Sequence, residues 1–217
     1  MPCGFALMPR VGRCRCRQKP HRRGHWKNSY GLVMPSFSDE VIKSHGVVLR
    51  PLTEADVPAI AIACSDPQTQ KWLPLPQPYT EESARFFALE IAPQELASGT
   101  ALERAIEVDG QFVGVIGLKN TDWDVAKTEA GYWLGPWARG RGITARALAA
   151  ITDWALDSQG IGRVEVLVAT GNAASLATAR KARFIQEGTL RRAGYVHDGK
   201  ADLVIFSRLD DDPRPQF

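Results

Sequence analysis

The sequence of 217 residues has no long apolar run, few cysteines, and no acidic residue among its first 33 positions. Its uncharged apolar stretches, such as Val57–Cys64 and Gly110–Leu118, are about half as long as the roughly 18 residues that a membrane-spanning helix needs. This excludes a helix that crosses a bilayer. A composition of 44% hydrophobic, 24% charged and 8% aromatic residues excludes a wholly disordered, collagen-like or coiled-coil chain.

The few cysteines give no sign of a disulfide framework. Three of the four precede residue 17 and only Cys64 lies in the body of the chain, so a reducing cytoplasm is the expected location. Cys14 and Cys16, together with His21 and His25, are candidate metal ligands, but their spacing matches none of the common zinc patterns. The sequence therefore predicts no bound metal.

The missing acids divide the chain into two parts of opposite charge. Residues 1–33 hold eight basic residues and no acid, whereas residues 34–217 hold 19 basic and 24 acidic residues, a net charge of −5. The acidic part would repel a nucleic acid, so any such role would depend on the basic segment alone, and this partner is not expected. Because residues 1–33 lack an apolar face, they are predicted to be a disordered extension.

Four interpretations of that basic segment stay open: a solvated tail, an extension upstream of a natural start at Met34, an organellar transit peptide, or a nucleic-acid arm. We favour the first two, because Met34 opens directly into a well-patterned region. A chain beginning at Met34 is then expected to keep full stability and activity. The predicted division is a basic extension at residues 1–33, a folded domain at 34–210 and a C-terminal tail at 211–217.

The hydrophobic periodicity of the body predicts elements in the order β-α-α-β-β-β-α-β-α-β-β. Thr53-x-x-Asp56 is a helix-start signal, and Asp109-Gly110 is a pair that favours a tight hairpin. Pro93 predicts a kink or an interruption in a helix that runs from Thr80 toward Gly99. The predicted strands are 47–52, 101–108, 111–118, 129–134, 163–169, 184–190 and 201–209.

The glycine-rich segment Arg139–Ala145 joins a predicted strand to a predicted helix. Unpaired backbone N–H groups, a positive helix dipole and small glycines at such a junction predict a phosphate site. Gly140-x-Gly142-x-x-Ala145 also matches the dinucleotide fingerprint, with Glu165 near the distance of a ribose-binding acid. Context argues against that alternative, because residues 135–138 separate the glycines from the strand and an antiparallel hairpin lies upstream. A P-loop would need a Gly-Lys-Ser/Thr ending, which this segment lacks.

Taken as Arg139-x-x-Gly142-x-Thr144, the same segment resembles the acyl-CoA pyrophosphate loop of the GNAT superfamily of N-acetyltransferases. Further motifs resemble the branch that contains the ribosomal-protein N-terminal acetyltransferases RimJ and RimL, and they follow in the right order. These motifs are Gly131–Gly135, Asn172–Ser175, Lys181–Phe184, and Glu187–Arg191 with Asp202. The resemblance covers roughly residues 47–209, and the four motifs together are far more specific than any one alone.

The resemblance implies a single domain of the α/β (α+β) class, with a mixed, mostly antiparallel twisted sheet flanked by helices. It implies acetyl transfer from acetyl-CoA to a primary amine by direct attack, without a metal. The strand ending at Leu134 is implied to part from its neighbour and to offer main-chain contacts to the acyl donor. The implied pyrophosphate loop consists of Arg139, Gly140, Arg141, Gly142, Ile143 and Thr144.

The resemblance also assigns two side chains that follow the next strand. Asn172 is implied to bind the pantetheine arm, and Ser175 to face the sulfur as proton donor or hydrogen-bonding group. The alternatives are that Asn172 only caps the following helix and that Ser175 is an ordinary first-turn residue.

Three positions depart from the family pattern. Thr144 replaces a Gly or Ala, and Ala179 stands where many members carry a tyrosine acid, which leaves Ser175 as its substitute. Arg183 replaces the glycine before Phe184, so it would have to adopt a left-handed cap at a cost of about 1 kcal/mol. These departures leave open a CoA-binding protein with little or no catalytic activity.

The attacking amine must lose a proton, since N-terminal and lysine amines have pKa values of about 7.7–8.0 and 10.4. We expect Glu129, at the head of the parted strand, to be the base or to hold a water, with a solvated carboxylate as the alternative. Glu129→Gln should then lower turnover more at neutral pH than at pH 9. By position, Trp72, Tyr79 and Tyr195 are expected to line the acceptor pocket. The acceptor, a protein N-terminus or a small-molecule amine, is left open, and a homodimer is one expectation because dimers are common in that family.

Overall fold

The computed structural model describes residues 24–27 and 33–217. The strands are β1 (Gly24–Lys27), β2 (Val33–Ser36), β3 (Ile42–Ser44), β4 (Val47–Arg50), β5 (Leu102–Val108), β6 (Gln111–Asp122), β7 (Lys127–Leu134), β8 (Arg163–Ala169), β9 (Ile185–Val196) and β10 (Gly199–Leu209). The α-helices are α1 (Val57–Ser65), α2 (Pro67–Trp72), α3 (Glu81–Phe86), α4 (Ala92–Ser98), α5 (Ile143–Ser158) and α6 (Ala173–Lys181).

Strands β3 to β10 form one sheet in the spatial order β3-β4-β5-β6-β7-β8-β10-β9, and β1 pairs with β2 in a separate ribbon. Neighbouring strands of the large sheet are antiparallel, except that β7 and β8 run parallel. Parallel neighbours need a crossover connection, which α5 provides. The predicted mixed, mostly antiparallel sheet is confirmed.

Helices cover both faces of this sheet. On the first, which we call the α5 face, Leu148 of α5 belongs to the same buried cluster as Ala130 and Leu134 of β7. On the second, the α1 face, Ile60 of α1 is buried in a cluster that Trp133 of β7 packs against. Because successive strand residues point to opposite faces, each residue of β7 is assigned to one side or the other.

Two turn signals fold as predicted. Thr53 and Asp56 form a capping box in which Thr53 donates from its backbone N and its Oγ1 to Asp56 Oδ2, at 2.8 and 2.9 Å. A short 3-10 turn at Glu54–Asp56 then leads into α1. Asp109 and Gly110 join β5 to β6 with φ values of 52° and 74°, the left-handed pair that a tight hairpin needs.

The interruption predicted at Pro93 is present, but it precedes the proline. Residues 87–91 form a π-helical turn between α3 and α4, and Pro93 lies in the first turn of α4. Proline is tolerated there because a first-turn N–H has no intrahelical partner. Gly99, with a φ of 74°, ends α4 in the left-handed conformation.

Several elements differ from the prediction. Helix α2 and strands β1 to β3 were not predicted, and the last hairpin is longer than expected, so Tyr195 lies in β9 instead of a loop. Strand β9 is at the edge of the sheet and mostly exposed. Its hydrogen bonds to β10 stabilise it, and because it buries little, its second half has no alternation of apolar residues that would predict a strand. The expected left-handed cap at Arg183 is confirmed, with a φ of 63° and a 3.0 Å hydrogen bond from Phe184 N to Ala179 O.

The predicted domain boundaries are still predictions. Residues 1–23 and 28–32 lie outside the described residues, while Gly24–Lys27, within the predicted extension, pairs with β2. The C-terminal tail contacts α5 and the β3–β4 turn. Arg214 donates to Asp153 at 2.8 Å, and the ring of Phe217 lies 5.3 Å from that of His45.

Candidate active site

The parallel pair of strands in the middle of the sheet is short and then parts. Lys127–Glu129 of β7 pair with Arg163–Glu165 of β8, and no pairing between the two strands follows. Strand β7 continues to Leu134 beside β6, and β8 continues to Ala169 beside β10. The facing edges at residues 130–134 and 166–169 therefore carry backbone groups that no strand of the described residues pairs. We call this gap the cleft, and it confirms the expected parting of the strand that ends at Leu134.

Helix α5 begins with an uncapped turn. Gly142 precedes its first residue with a φ of 70°, and no side chain of the described residues hydrogen-bonds to this end. A Cβ atom on Gly142 would lie 3.0 Å from Lys181 Nζ. The free amides, the positive end of the helix dipole and a nearby ammonium make this turn suited to a phosphate. Ile143 is buried beneath it, and Thr144 is half-buried.

The two arginines of the loop differ in role. Arg139 donates from Nη2 to Asp66 Oδ1 at 2.5 Å and to Thr69 Oγ1 at 2.8 Å, so its guanidinium ties the loop to α2. Burial raises the pKa of Asp66, but the hydrogen bonds from Arg139 and Thr69 outweigh it and the net shift is downward. Arg141 is exposed, and its side chain makes no hydrogen bond or ion pair within residues 35–217. The loop therefore offers a phosphate its main chain and Arg141, while the Arg139 side chain is already bound.

The start of α6 meets the parted part of β7 through two hydroxyls. Asn172 Oδ1 accepts from Ser175 N at 3.1 Å, so Asn172 does cap α6, while its Nδ2 makes no hydrogen bond to another described residue. Ser175 Oγ lies 2.8 Å from Tyr132 Oη, and this contact bridges the cleft. Burial raises the pKa of Tyr132 to about 12, an effect that the Ser175 hydrogen bond opposes. The phenol is therefore protonated at neutral pH and able to donate.

Glu129 lies where the cleft begins. Its Oε1 is 3.2 Å from Lys119 Nζ, and its Oε2 accepts from Asn120 Nδ2 at 3.0 Å. The side chain is only 14% exposed. Glu129 is thus neither solvated nor unpaired, and its role as base or water-holder is still a prediction.

The three predicted pocket residues occupy different places. Trp72 lies beside the turn that follows β8, since a Cβ on Gly171 would be 3.2 Å from its Cη2 atom. Tyr79 lies against α1, where Ser65 Oγ donates to its backbone carbonyl at 3.0 Å. Burial raises the pKa of the Tyr79 phenol, and the neighbouring Cys64 raises it further. Tyr195 is 64% exposed on β9. Of the three, Trp72 is the one brought next to Asn172.

Two residues near the cleft had no role in the sequence analysis, Tyr132 and Lys181. The sequence signal for Tyr132 was the alternation of residues in β7. Tyr132 lies on the α5 face with Ala130 and Leu134, and α6, which follows β8, packs on the same face. Lys181 follows Ser175 by six residues on α6, a spacing that does not predict proximity to Gly142. Only the three-dimensional packing of α6 beside the start of α5 shows it.

Within residues 35–217, no group of three or more His, Cys, Asp or Glu side chains is placed to hold a metal ion. Cys14, Cys16 and His21 lie outside the described residues, as does the side chain of His25. No helix in the described part of the chain combines the length and the apolar character that spanning a membrane requires.

Comparison with known proteins agrees with this geometry. A family model described as an acetyltransferase (GNAT) domain matches residues 47–185, more than half of the chain. YdaF of Bacillus subtilis, provisionally named a ribosomal N-acetyltransferase, is 28% identical over 166 residues, which cover 75% of this chain and 91% of YdaF.

Solved structures are similar over most of the chain. RimJ of Mycobacterium smegmatis, in complex with a CoA disulfide, has a TM-score of 0.73 and 26% identity, covering 79% of this chain and 88% of that one. RimL, a ribosomal L7/L12 alpha-N-protein acetyltransferase in complex with coenzyme A, has a TM-score of 0.70 and 27% identity, covering 80% of this chain and all of that one.

Proposed function

The chain belongs to the GNAT acetyltransferase family, and on that premise we propose that it moves an acetyl group from acetyl-CoA to a primary amine by direct attack in a ternary complex. One observation carries the proposal. The uncapped start of α5 at Gly142 follows the strand whose edge is left open as far as Leu134. A diphosphate at the first and a thioester along the second would satisfy both sets of free amides.

The residues of the loop and of α6 would hold the acyl donor. The amides of residues 140–144, with Arg141 and Lys181, supply donors and positive charge for the diphosphate. Asn172 uses its oxygen to cap α6, which leaves its Nδ2 to donate to an amide carbonyl of the pantetheine arm. Thr144 adds one hydroxyl near the phosphates. Main-chain N–H groups near Leu134 would polarise the thioester carbonyl and stabilise its developing negative charge.

The leaving thiolate needs a proton, and Ser175 is the proposed donor. Its hydroxyl is hydrogen-bonded to that of Tyr132, so a proton passed from serine to sulfur can be replaced from the phenol. The pair compensates for Ala179, which stands where many relatives carry a tyrosine. This relay argues against the alternative of a CoA-binding protein without catalytic activity.

The acceptor is a primary amine, and a protein N-terminus is the class that we favour. The support is the similarity to RimL, whose name states that it acts on the alpha-amine of ribosomal protein L7/L12. The acceptor would approach from the α1 face, past Trp72 and the β9–β10 turn, where His197 N donates to Lys71 O at 3.3 Å. Since both oxygens of Glu129 are occupied, we propose that it positions the Lys119 ammonium at the base of the cleft in place of acting as the base or holding a water.

A panel assay tests the proposal. The purified chain is incubated with acetyl-CoA and, separately, with heptapeptides carrying N-terminal serine, alanine or methionine, and with small primary amines. Release of free CoA and the mass of the product are measured. A gain of one acetyl group on an alpha-amine supports the proposal, whereas calorimetric CoA binding with no transfer to any amine would favour the binding-protein alternative. A chain that binds no CoA would overturn both.

A further inference from the structure

Three residues on neighbouring strands form a row across the α1 face of the sheet. Glu103 of β5 pairs with Gly117 of β6, which pairs with Gly131 of β7. Directly paired residues project to the same face, so this row carries one carboxylate and two positions without a side chain. We call this row, from Glu103 to the parted section of β7, the glycine trough.

The carboxylate of Glu103 lies along this trough. A Cβ atom on Gly117 would be 2.4 Å from Glu103 Oε2 and 2.5 Å from its Oε1, so both oxygens rest directly on the glycine. Neighbouring strands are about 4.8 Å apart. The carboxylate is therefore about one strand spacing from Gly131, a distance that a single water can bridge.

Glu103 also differs from the other acidic residues on the inner strands β5 to β8 by having no partner. Glu107 accepts from Arg50 at 2.7 Å, Glu129 is bound by Lys119 and Asn120, and Glu165 accepts from Arg163 at 2.8 Å. Within residues 35–217 the Glu103 side chain makes no hydrogen bond and no ion pair, although it is half-buried. A carboxylate that is partly shielded from water and has no partner is destabilised in its charged form, and such groups are frequently functional.

We propose that Glu103 is the proton acceptor for the attacking amine, acting through one water in the glycine trough above Gly131. This inference rests on the proposed function. The ammonium of the acceptor gives one proton to the water, which passes one to Glu103. The neutral nitrogen attacks the thioester carbon, the C–N bond forms and the C–S bond breaks. The thiolate receives a proton from Ser175, which Tyr132 reprotonates, and the nitrogen passes its second proton to this pair of hydroxyls, so that both are restored. The sum is amide, CoA thiol and a protonated Glu103, which returns its proton to solvent.

The charges around Glu103 suit this role. Burial raises its pKa to about 8, and the negative charge of Glu95 on α4 adds to the shift, while Lys119 on β6 and Arg104 on β5 oppose it. An alpha-amine has a pKa of about 7.7–8.0, so proton transfer between the two groups is close to balanced. Lys119 extends over Gly131, with its Nζ 3.8 Å from the site of a Cβ there, and Glu129 holds it at the far end of the trough.

The test compares Glu103→Gln with Glu107→Gln, a matched control on the same strand and the same face. The acceptor is the best-acetylated heptapeptide of the panel, and kcat is measured from pH 6 to 9.5. The ratio of variant to wild type is taken at each pH. For Glu103→Gln we expect a loss of about a hundredfold at pH 7, the usual scale of general base catalysis, that shrinks above about pH 8, where most of the acceptor alpha-amine is already neutral and needs no base. Glu107→Gln should stay within twofold of wild type throughout, and CoA affinity should be unchanged in both variants.

Three outcomes decide the question. A Glu103→Gln variant within threefold of wild type at pH 7, with a parallel pH profile, overturns the assignment while leaving acetyl transfer in place. Should this variant not fold, Glu103→Asp decides alone: reduced turnover with a changed pH profile and unchanged CoA affinity supports the role, and a superimposable profile overturns it. A wild-type chain that acetylates no member of the panel overturns the proposed function, and the role of Glu103 with it.

Discussion

Replacing Gly142 by alanine tests the phosphate site at the start of α5. The residue has a φ of 70°, where an L-residue costs about 1–2 kcal/mol, and its new Cβ would lie 3.0 Å from Lys181 Nζ. The substitution would displace the ammonium and fill the space through which a phosphate reaches the helix amides. Loss of one charge-assisted hydrogen bond is worth about 1.5–3 kcal/mol, so we expect CoA affinity to fall by about tenfold to a hundredfold.

Gly160→Ala provides the matched control for this experiment. Gly160 follows the other end of α5 with a φ of 74°, and a Cβ there meets nothing within 4 Å. Both variants should lose a similar free energy of unfolding in urea, about 1 kcal/mol, because both force the same backbone conformation on alanine. Only Gly142→Ala should weaken CoA binding in a calorimetric titration. Equal CoA affinity in the two variants would refute the assignment of the diphosphate to this turn.

Three further predictions concern the relay, the α6 cap and acid stability. Ser175→Ala and Tyr132→Phe should each lower kcat by about tenfold or more without changing CoA affinity, as measured by CoA release and calorimetry; an unchanged kcat in both would remove the relay from the mechanism. Arg183→Gly should raise the free energy of unfolding by about 0.5–1 kcal/mol, because it relieves a φ of 63°, and urea unfolding checks this. Asp56→Asn should cost about 1.5–3 kcal/mol, since it removes the buried carboxylate that accepts from Arg50 and Thr53, while Glu107 still pairs with Arg50. Burial raises the pKa of Asp56, but Arg50 and Thr53 lower it more, so the net shift is downward. The stability that Asp56 gives to the folded protein is therefore present above about pH 4 and is lost as pH falls through the lowered pKa. Urea unfolding should show a smaller effect of the variant at pH 3 than at pH 7.

Local chemistry accounts for the elements that the sequence predicted well. Thr53 and Asp56, the Asp109-Gly110 turn and the alternation of the central strands are short-range signals whose physical cause lies within a few residues. The left-handed conformation of Arg183 has a different origin, because it was expected from the resemblance to a family whose members carry a glycine at this position. The β9 edge strand had no such signal, because pairing with β10 replaces burial as its source of stability.

The site was predictable only where the family motif fixes the backbone. The turn at Gly142 and the parted strand follow from the motif, but the partners of side chains do not. Arg139 bonds to Asp66, which is 73 residues away, and Ser175 bonds to Tyr132, which is 43 residues away. No spacing rule connects such pairs. Sequence reasoning missed Glu103 for the same reason, since its surroundings are set by Gly117 and Gly131, which lie on two other strands.

The cleft has a physical explanation in the pairing of its two walls. Strand β8 pairs along its whole length, Arg163 to Ala169, with β10, and β7 pairs with β6 as far as Leu134. Each strand therefore keeps its hydrogen bonds to its outer neighbour. Parting leaves unpaired only the backbone groups of a few residues on the two edges that face each other. Unpaired backbone groups are costly when they are buried away from water, but in an open cleft they stay solvated. A ligand with its own amides and carbonyls can replace that water and complete the sheet at the missing pairing. Because the pantetheine arm of CoA contains two amides in an extended chain, the opening between β7 and β8 matches the chemistry of the acyl donor as well as its place beside α5.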